Sequence, residues 1–421
     1  MQIELAYGKG RKNARIPDHI YTEVVEPRYV KGIPDQTGAV REALANPINH
    51  PPISGSVTKG QKVAIIFSDI TRATPYPILL PPLLDALSHL PDDHITFFCA
   101  TGTHRPATPE ELNTILGKEV TERFRIRQNS ASDPSQQKFA GTTSSGNRIR
   151  LNKEILECDL RILTGFIEPH FFAGFSGGGK ALMPGMASLE TVRNNHAIRN
   201  LEHPKTRWGH TSGNPLWEEV TEAAEMASPL FLLNVTLNRD KEITGVFAGE
   251  LREAHSRGCA FAKENAMAPL EGEFDVVITS NSGYPLDLNI YQSVKGMSAA
   301  ERVVKKGGTI IMTAECWDGI PEGSDYQTIL ASVDSVGALM NFIRKHETDY
   351  QDTWQVYFQA MIQMKADVYL YSNLDPEIVK SAHLKPVSNI NQLILRLVDK
   401  YGPDTRICVL PEGPHTIPYL I

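Results

Sequence analysis

The stretch His170-Phe-Phe-Ala-Gly-Phe-Ser-Gly-Gly-Gly-Lys180 puts an imidazole, a run of glycines and an amine on one short loop. Glycines there let a backbone approach a ligand closely or turn through positive φ. A lysine ending such a loop pairs with an anion or serves as a nucleophile. Gly174-x-x-x-x-Gly179-Lys180 fits a nucleotide-phosphate loop as far as the lysine. The next residue is Ala181, where serine or threonine should hold magnesium. Pro184 comes too early for a regular helix starting at the lysine. A standard NTPase is therefore disfavoured, while a phosphate resting on the loop amides stays open. A pyridoxal-phosphate enzyme using Lys180 as a Schiff base and a non-catalytic binding protein are further alternatives.

Other polar clusters sit at comparable places. Ser68-Asp69-Ile70-Thr71-Arg72-Ala73-Thr74-Pro75 follows the apolar run Lys62–Phe67, and Thr101-Gly102-Thr103-His104-Arg105-Pro106 follows Ile95–Cys99. The glycine loop follows Cys158–Thr164, and Asn281-Ser282-Gly283-Tyr284-Pro285, after Asp275–Thr279, leads into Asn289 through Gly296. Each apolar run has the length of a buried strand. Helical stretches alternate with them, at Pro77–Leu90, 215–227, Glu250–Asn265, Ile290–Val304, much of 325–363 and Ile390–Lys400. Thr108 and Glu111 form a capping box around Pro109, Ser188 caps a helix to about Ile198, and Asn238-Arg239-Asp240 turns a hairpin.

This alternation predicts an α/β protein of two doubly wound domains with mostly parallel sheets. The boundaries read as residues 1–268 and 272–414, with Met267–Glu273 as linker and 415–421 returning to the first domain. Residues 1–60 read as short strands and extended covering segments. Open parallel sheets bind ligands at the carboxyl ends of their strands. All four polar loops lie at such ends, which predicts one active-site crevice between the domains.

Composition narrows the field. The chain has 421 residues, a hydrophobic share of 41% and a formal net charge of −7. No basic block is present, which argues against nucleic acid as the main partner. No apolar run approaches the ~20 residues needed to span a membrane, and the amino terminus has no apolar signal core. Cys99, Cys158, Cys259, Cys316 and Cys408 are scattered singly, which suits reduced thiols in the cytoplasm.

Arg72 and Lys295 suit a carboxylate substrate, Arg by gripping both oxygens and Lys as a point charge. Tyr291 shares a helix face with Lys295. His104 and His170 lie on separate loops and could flank a reacting carbon, as racemisation requires. Histidine titrates near neutrality, so both directions can run. The α-proton of a 2-hydroxy acid is too weakly acidic for histidine alone, so such a site needs a cofactor. Lys180 could anchor it, and His196 could ligate a metal, imidazole suiting nickel as well as zinc.

These motifs together resemble the nickel-pincer lactate racemase family over nearly the whole chain. They are His170-x-x-Ala-Gly-x-Ser-Gly-Gly-x-Lys180, Asp69-x-Thr-Arg72-x-x-Pro75, Thr-Gly-Thr-His104-Arg-Pro, Asn195-His196 and Tyr291-Gln-x-x-Lys295-Gly. The resemblance implies a pyridinium-3,5-bisthiocarboxylate mononucleotide holding nickel, made by dedicated biosynthetic enzymes. By it, Lys180 carries the nucleotide through a thioamide, and His196 is the protein ligand to nickel. His104 and His170 are the acid/base pair. Asp69, Ile70, Thr71, Arg72 and Pro184 line the cofactor. Arg72, Gln292 and Lys295 bind substrate, while Tyr291 and Trp354 shape the pocket. The implied reaction inverts C2 of a 2-hydroxy acid by proton-coupled hydride transfer through a planar 2-keto acid. Ala73 stands where proline is common in the family.

Overall fold

Val63–Ser68, Ile95–Ala100 and Leu160–Phe166 are runs of apolar residues buried on both faces, as strands inside a parallel sheet must be. A computed structural model describing residues 1–421 shows where they go. The chain divides into a continuous unit, Tyr29–Glu264, and a split unit made of Met1–Arg28 with Asn265–Ile421.

The continuous unit is built on a six-stranded sheet. Its spatial order is Ile243–Gly249, Leu230–Leu237, Leu160–Phe166, Val63–Ser68, Ile95–Ala100 and Arg125–Gln128. All neighbours are parallel except the Leu230–Leu237/Ile243–Gly249 hairpin, which turns where expected. Val63 pairs with both Ile95 and Leu160, so the three central strands start level. Ile65, Phe67, Phe97, Ile162 and Phe231 form the middle of the core. The Thr108–Glu111 capping box opens the helix Pro109–Leu116 as predicted.

The split unit carries a second six-stranded sheet, parallel throughout. Its order is Lys385–Pro386, Asp367–Tyr371, Val304–Thr313, Phe274–Ser280, Arg406–Leu410 and Tyr21–Val24. The last strand corrects the expected boundary of 1–268. Tyr21–Val24 adds to the edge of Arg406–Leu410, with Tyr21 opposite Arg406. The hairpin Gln2–Tyr7/Gly10–Arg15 buries Ile3, Leu5 and Ala14 in the same core as Val276, Ile311 and Leu393. Residues 1–28 therefore complete the split unit. The tail does not return to the first domain either. Ile417–Leu420 pairs in parallel with Met267–Leu270, the segment read as a linker. Within 1–60 the sequence reading also missed the helix Gln36–Ala45, which buries only Val40 and Leu44 and so shows little periodicity.

All five cysteines are free. No helix is long and apolar enough to cross a membrane.

Candidate active site

The first polar loop leaves the end of Val63–Ser68. Ser68 N donates to the Tyr76 hydroxyl (2.7 Å), which ties both ends of the loop together. Inside it Asp69 is buried. Its Oδ1 accepts from Thr71 N (3.1 Å) and Thr71 Oγ1 (2.6 Å). Its Oδ2 lies 2.6 Å from His104 Nδ1, on the loop after the neighbouring strand. Arg72 Nη1 donates to Thr71 Oγ1 at 2.9 Å. Burial alone would raise the Asp69 pKa, but His104, Arg72 and the Thr71 hydroxyl outweigh it and hold the carboxyl well below its usual range. An ionised Asp69 can only accept, so a neutral His104 carries its hydrogen on Nδ1 and the lone pair on Nε2.

The glycine loop follows Leu160–Phe166. His170 and Gly174 face each other across a two-residue antiparallel pairing, and Ala173 N donates to His170 Nδ1 at 3.3 Å. A neutral His170 thus has its hydrogen on Nε2, the reverse of His104. Gly174 has φ 82°, and a Cβ there would run into the His210 backbone. Gly177 and Gly178 also have positive φ, at 75° and 56°. Their turn is held from both sides. Asn234 Oδ1 accepts from Gly178 N at 2.8 Å, and His255 Nε2 contacts the Ser176 carbonyl at 2.8 Å. Trp217 stacks on the His255 ring at 4.6 Å. Burial lowers the His255 pKa to about 4, against the opposing effect of the Ser176 carbonyl, so the ring is neutral and donates there.

After these glycines the chain makes only one 3-10 turn, Gly178–Ala181. A phosphate loop needs the amino end of a helix at this point, so the NTPase reading loses its structural basis. Lys180 emerges partly buried, with Nζ 5.5 Å above the centre of the Phe172 ring. Burial, with the Arg72 charge, lowers its pKa to about 7.

Phe172 also meets His170 at 4.6 Å and His196 at 5.2 Å, edge to face in both cases. His196 caps the helix Leu189–Asn195, which Ser188 opens as expected. The helix stops at Asn195 instead of reaching Ile198; a separate turn, Ile198–Leu201, follows. His196 Nδ1 lies 3.1 Å from the Val192 carbonyl, which places the hydrogen on Nδ1 and the lone pair on Nε2. Burial first, and then the Lys180 charge, lower its pKa to about 3, despite the Val192 carbonyl. No group of three or more His, Cys, Asp or Glu is placed to hold a metal ion. His196 would therefore hold a metal only together with donors brought by a bound group.

The sequence-predicted residues of this unit thus form two linked clusters. Asp69, Thr71, Arg72 and His104 make one, and His170, Lys180 and His196 around Phe172 make the other. The Arg72 charge acts on both Asp69 and Lys180. Pro184 lies against Gly102, two residues before His104. Ile70 instead packs against the hydrophobic core. In the split unit, Tyr291 and Trp354 come together: Trp354 Nε1 donates to the Tyr291 hydroxyl (3.3 Å), which donates to Asp352 Oδ1 (3.3 Å). Gln292 and Lys295 are buried on the helix that Asn289 caps. Gln292 Oε1 is buried without a hydrogen-bond donor. Phe172, Asn234 and His255 escaped the sequence reading. Asn234 had a signal, being a lone amide inside the apolar strand Leu230–Leu237.

Residues 7–209 match the lactate racemase N-terminal domain, and residues 271–417 the lactate racemase C-terminal domain. A lactate racemase of Lactiplantibacillus plantarum is 35% identical over 419 residues, covering 98% of this chain and 98% of that protein. The chain belongs to the lactate racemase family. A second lactate racemase, from Thermoanaerobacterium thermosaccharolyticum, is 33% identical over 99% of this chain and 98% of its own length. The apoprotein structure of a lactate racemase from that organism superposes with a TM-score of 0.90, covering 99% of this chain and all of that one. A Thermotoga maritima protein shares the fold at TM-score 0.73 and 18% identity. This member of the lactate racemase family is an enzyme, a racemase within the isomerases. The alternation of strands and helices in the sequence had led to the same α/β class.

Proposed function

We propose that this racemase interconverts the enantiomers of lactate, or of a closely related small 2-hydroxy acid, with a nickel-pincer nucleotide held by Lys180 and His196. The observation that carries this reading is the Phe172 cluster. It packs an amine whose pKa is lowered to about 7 and an imidazole lowered to about 3 against one aromatic ring. The donor chemistry fits the group. A neutral amine can form the covalent link, and a neutral imidazole presents the lone pair that nickel takes.

When bound, the pincer group would accept and return hydride at C2. The chain's own residues handle everything else. His104, oriented through Nδ1 by Asp69, takes the hydroxyl proton at Nε2 from one enantiomer. His170, when protonated to the imidazolium, gives a proton back from Nε2 at the other face. A two-base racemase needs one ring neutral and the other protonated at the start, and one turnover exchanges the roles. Arg72 is the proposed grip on the substrate carboxylate in the continuous unit; in the split unit the proposed substrate-binding residues are Lys295 and Gln292, whose buried Oε1 meets no donor in the chain. Tyr291 and Trp354 form a wall. Asp69, Ile70, Thr71, Arg72 and Pro184 border the nucleotide, Ile70 through its backbone. The enzymes that make the nucleotide are required partners, and the free cysteines suit a cytoplasmic setting.

Native mass spectrometry on protein co-expressed with the biosynthetic enzymes tests the cofactor, and chiral chromatography of D- or L-lactate tests the reaction. The expected result is a nickel-bearing adduct mapped to Lys180 and conversion of either enantiomer to a mixture. Absence of both nickel and adduct, with the biosynthetic enzymes active on a control, would refute the cofactor assignment.

A further inference from the structure

Asn195 stands next to His196, yet nothing so far gives it a task. It is fully buried at the last position of the helix Leu189–Asn195. Its Nδ2 donates to Glu219 Oε2 (2.7 Å) and to the Leu216 carbonyl (3.1 Å). Its Oδ1 is buried and meets no donor. Its own carbonyl accepts from Asn200 Nδ2 at 2.8 Å. Folding alone gives a poor account of this residue, because an amide with an unmet oxygen is a costly way to fill a core position.

Glu219 is equally unusual. It lies on the inner face of the helix Pro215–Glu225 and is 5% exposed. It makes no ion pair. Its partners are neutral donors: Thr143 Oγ1 (3.1 Å), Ser145 Oγ, Asn147 Nδ2 (3.1 Å) and Asn195 Nδ2. Only a carboxylate offers two oxygens with acceptor sites and no hydrogens to such a ring of donors. A glutamine would turn an NH2 toward at least one of them. The result is a hub joining three parts of the continuous unit: the loop 143–147, the end of the His196 helix and the helix Pro215–Glu225.

We propose that Glu219 and Asn195 are positioning residues for His196. They clamp the backbone where the helix ends, one residue before the imidazole. The ring is held on its own side by the Val192 carbonyl at 3.1 Å and by Phe172 at 5.2 Å. With both ends fixed, Nε2 keeps a single direction toward the metal. Outer-shell groups around a metal-binding histidine commonly act in this way. The inference rests on His196 being the nickel ligand, as the proposed function has it.

The test measures nickel loss from co-expressed holoprotein to excess EDTA at a temperature where every variant is folded, together with the mass of the Lys180 adduct. Glu219→Gln and Asn195→Ala should release nickel roughly tenfold faster or more, with the adduct intact. His196→Ala should hold no nickel. A purely structural role would lower the melting temperature and leave the release rate unchanged, so wild-type release in both variants overturns the inference while His196→Ala keeps the ligand assignment standing. Nickel retained by His196→Ala overturns both. Should Glu219→Gln fail to fold, Asn195→Ala decides, since it leaves Glu219 three of its donors. Should the wild type carry no nickel, the ring nitrogens of His196 decide in the apoprotein. Their 15N shifts should show one tautomer in the wild type and exchange between two in Asn195→Ala. A single tautomer in both would overturn the inference.

Discussion

Lys180 is the residue whose environment departs most usefully from water. Burial and the Arg72 charge disfavour its ammonium form, so its pKa falls from 10.5 to about 7. The sign of the consequence follows from linkage. Below pH 7 the folded chain must keep a charge where burial disfavours it, and the full penalty applies. Between about pH 7 and pH 10.5 the unfolded chain binds more protons than the folded one, so stability rises with pH and the penalty fades. Lys180→Met should therefore stabilise the apoprotein at pH 6 and do progressively less as the pH approaches 10. Chemical denaturation across that range checks this, and a gain independent of pH would mean the lysine is not neutralised by the fold. The motif spacing made Lys180 legible in the sequence. Its altered acidity was not legible, because it depends on the burial of the amine in the fold and on the Arg72 charge brought near it.

At the scale of elements, the glycine loop works because other elements hold it. Gly177 and Gly178 supply the positive φ that the turn requires, but Asn234 from the strand Leu230–Leu237 and His255 from the helix Leu251–Ala266 decide where the turn sits. Asn234→Ala would leave the Gly178 amide buried without an acceptor, at a cost of about 1–3 kcal/mol. Equilibrium denaturation should show that loss, and the Lys180 adduct should form in lower yield. A variant as stable as the wild type would mean that water or a shifted loop takes the place of the amide. Sequence reading found the loop and the strands that carry it, since continuous apolar runs such as Val63–Ser68 need no tertiary information. It stopped the Ser188 helix too late, because what ends that helix is tertiary: Asn195 is drawn onto Glu219 and its carbonyl onto Asn200.

For the whole molecule, the division of the chain is the part that local pattern could not give. Tyr21–Val24 is short, has no buried residue and shows no polar–apolar alternation, and only its register against Arg406–Leu410, across almost the full length of the sequence, makes it part of a sheet. The match to the family's N-terminal domain starts at residue 7, so the family boundary also joins this segment to residues with which it does not fold. The structural division makes a prediction that the sequence division does not. Residues 29–264 contain a complete sheet and core, and expressed alone they should unfold in one cooperative transition. Residues 265–421 alone should be insoluble or partly folded. They lack the edge strand over Arg406–Leu410 and the cover that Ile3, Leu5, Ala14 and Ile16 give to Val276, Ile278 and Ile407. An uncovered parallel edge beside exposed apolar surface favours association over folding. Co-expressing residues 1–28 as a separate peptide should restore a soluble, cooperatively melting species. If residues 265–421 instead melt cooperatively without that peptide, the first 28 residues are an accessory layer, and the expected boundary at 268 would be the better description of how the chain folds.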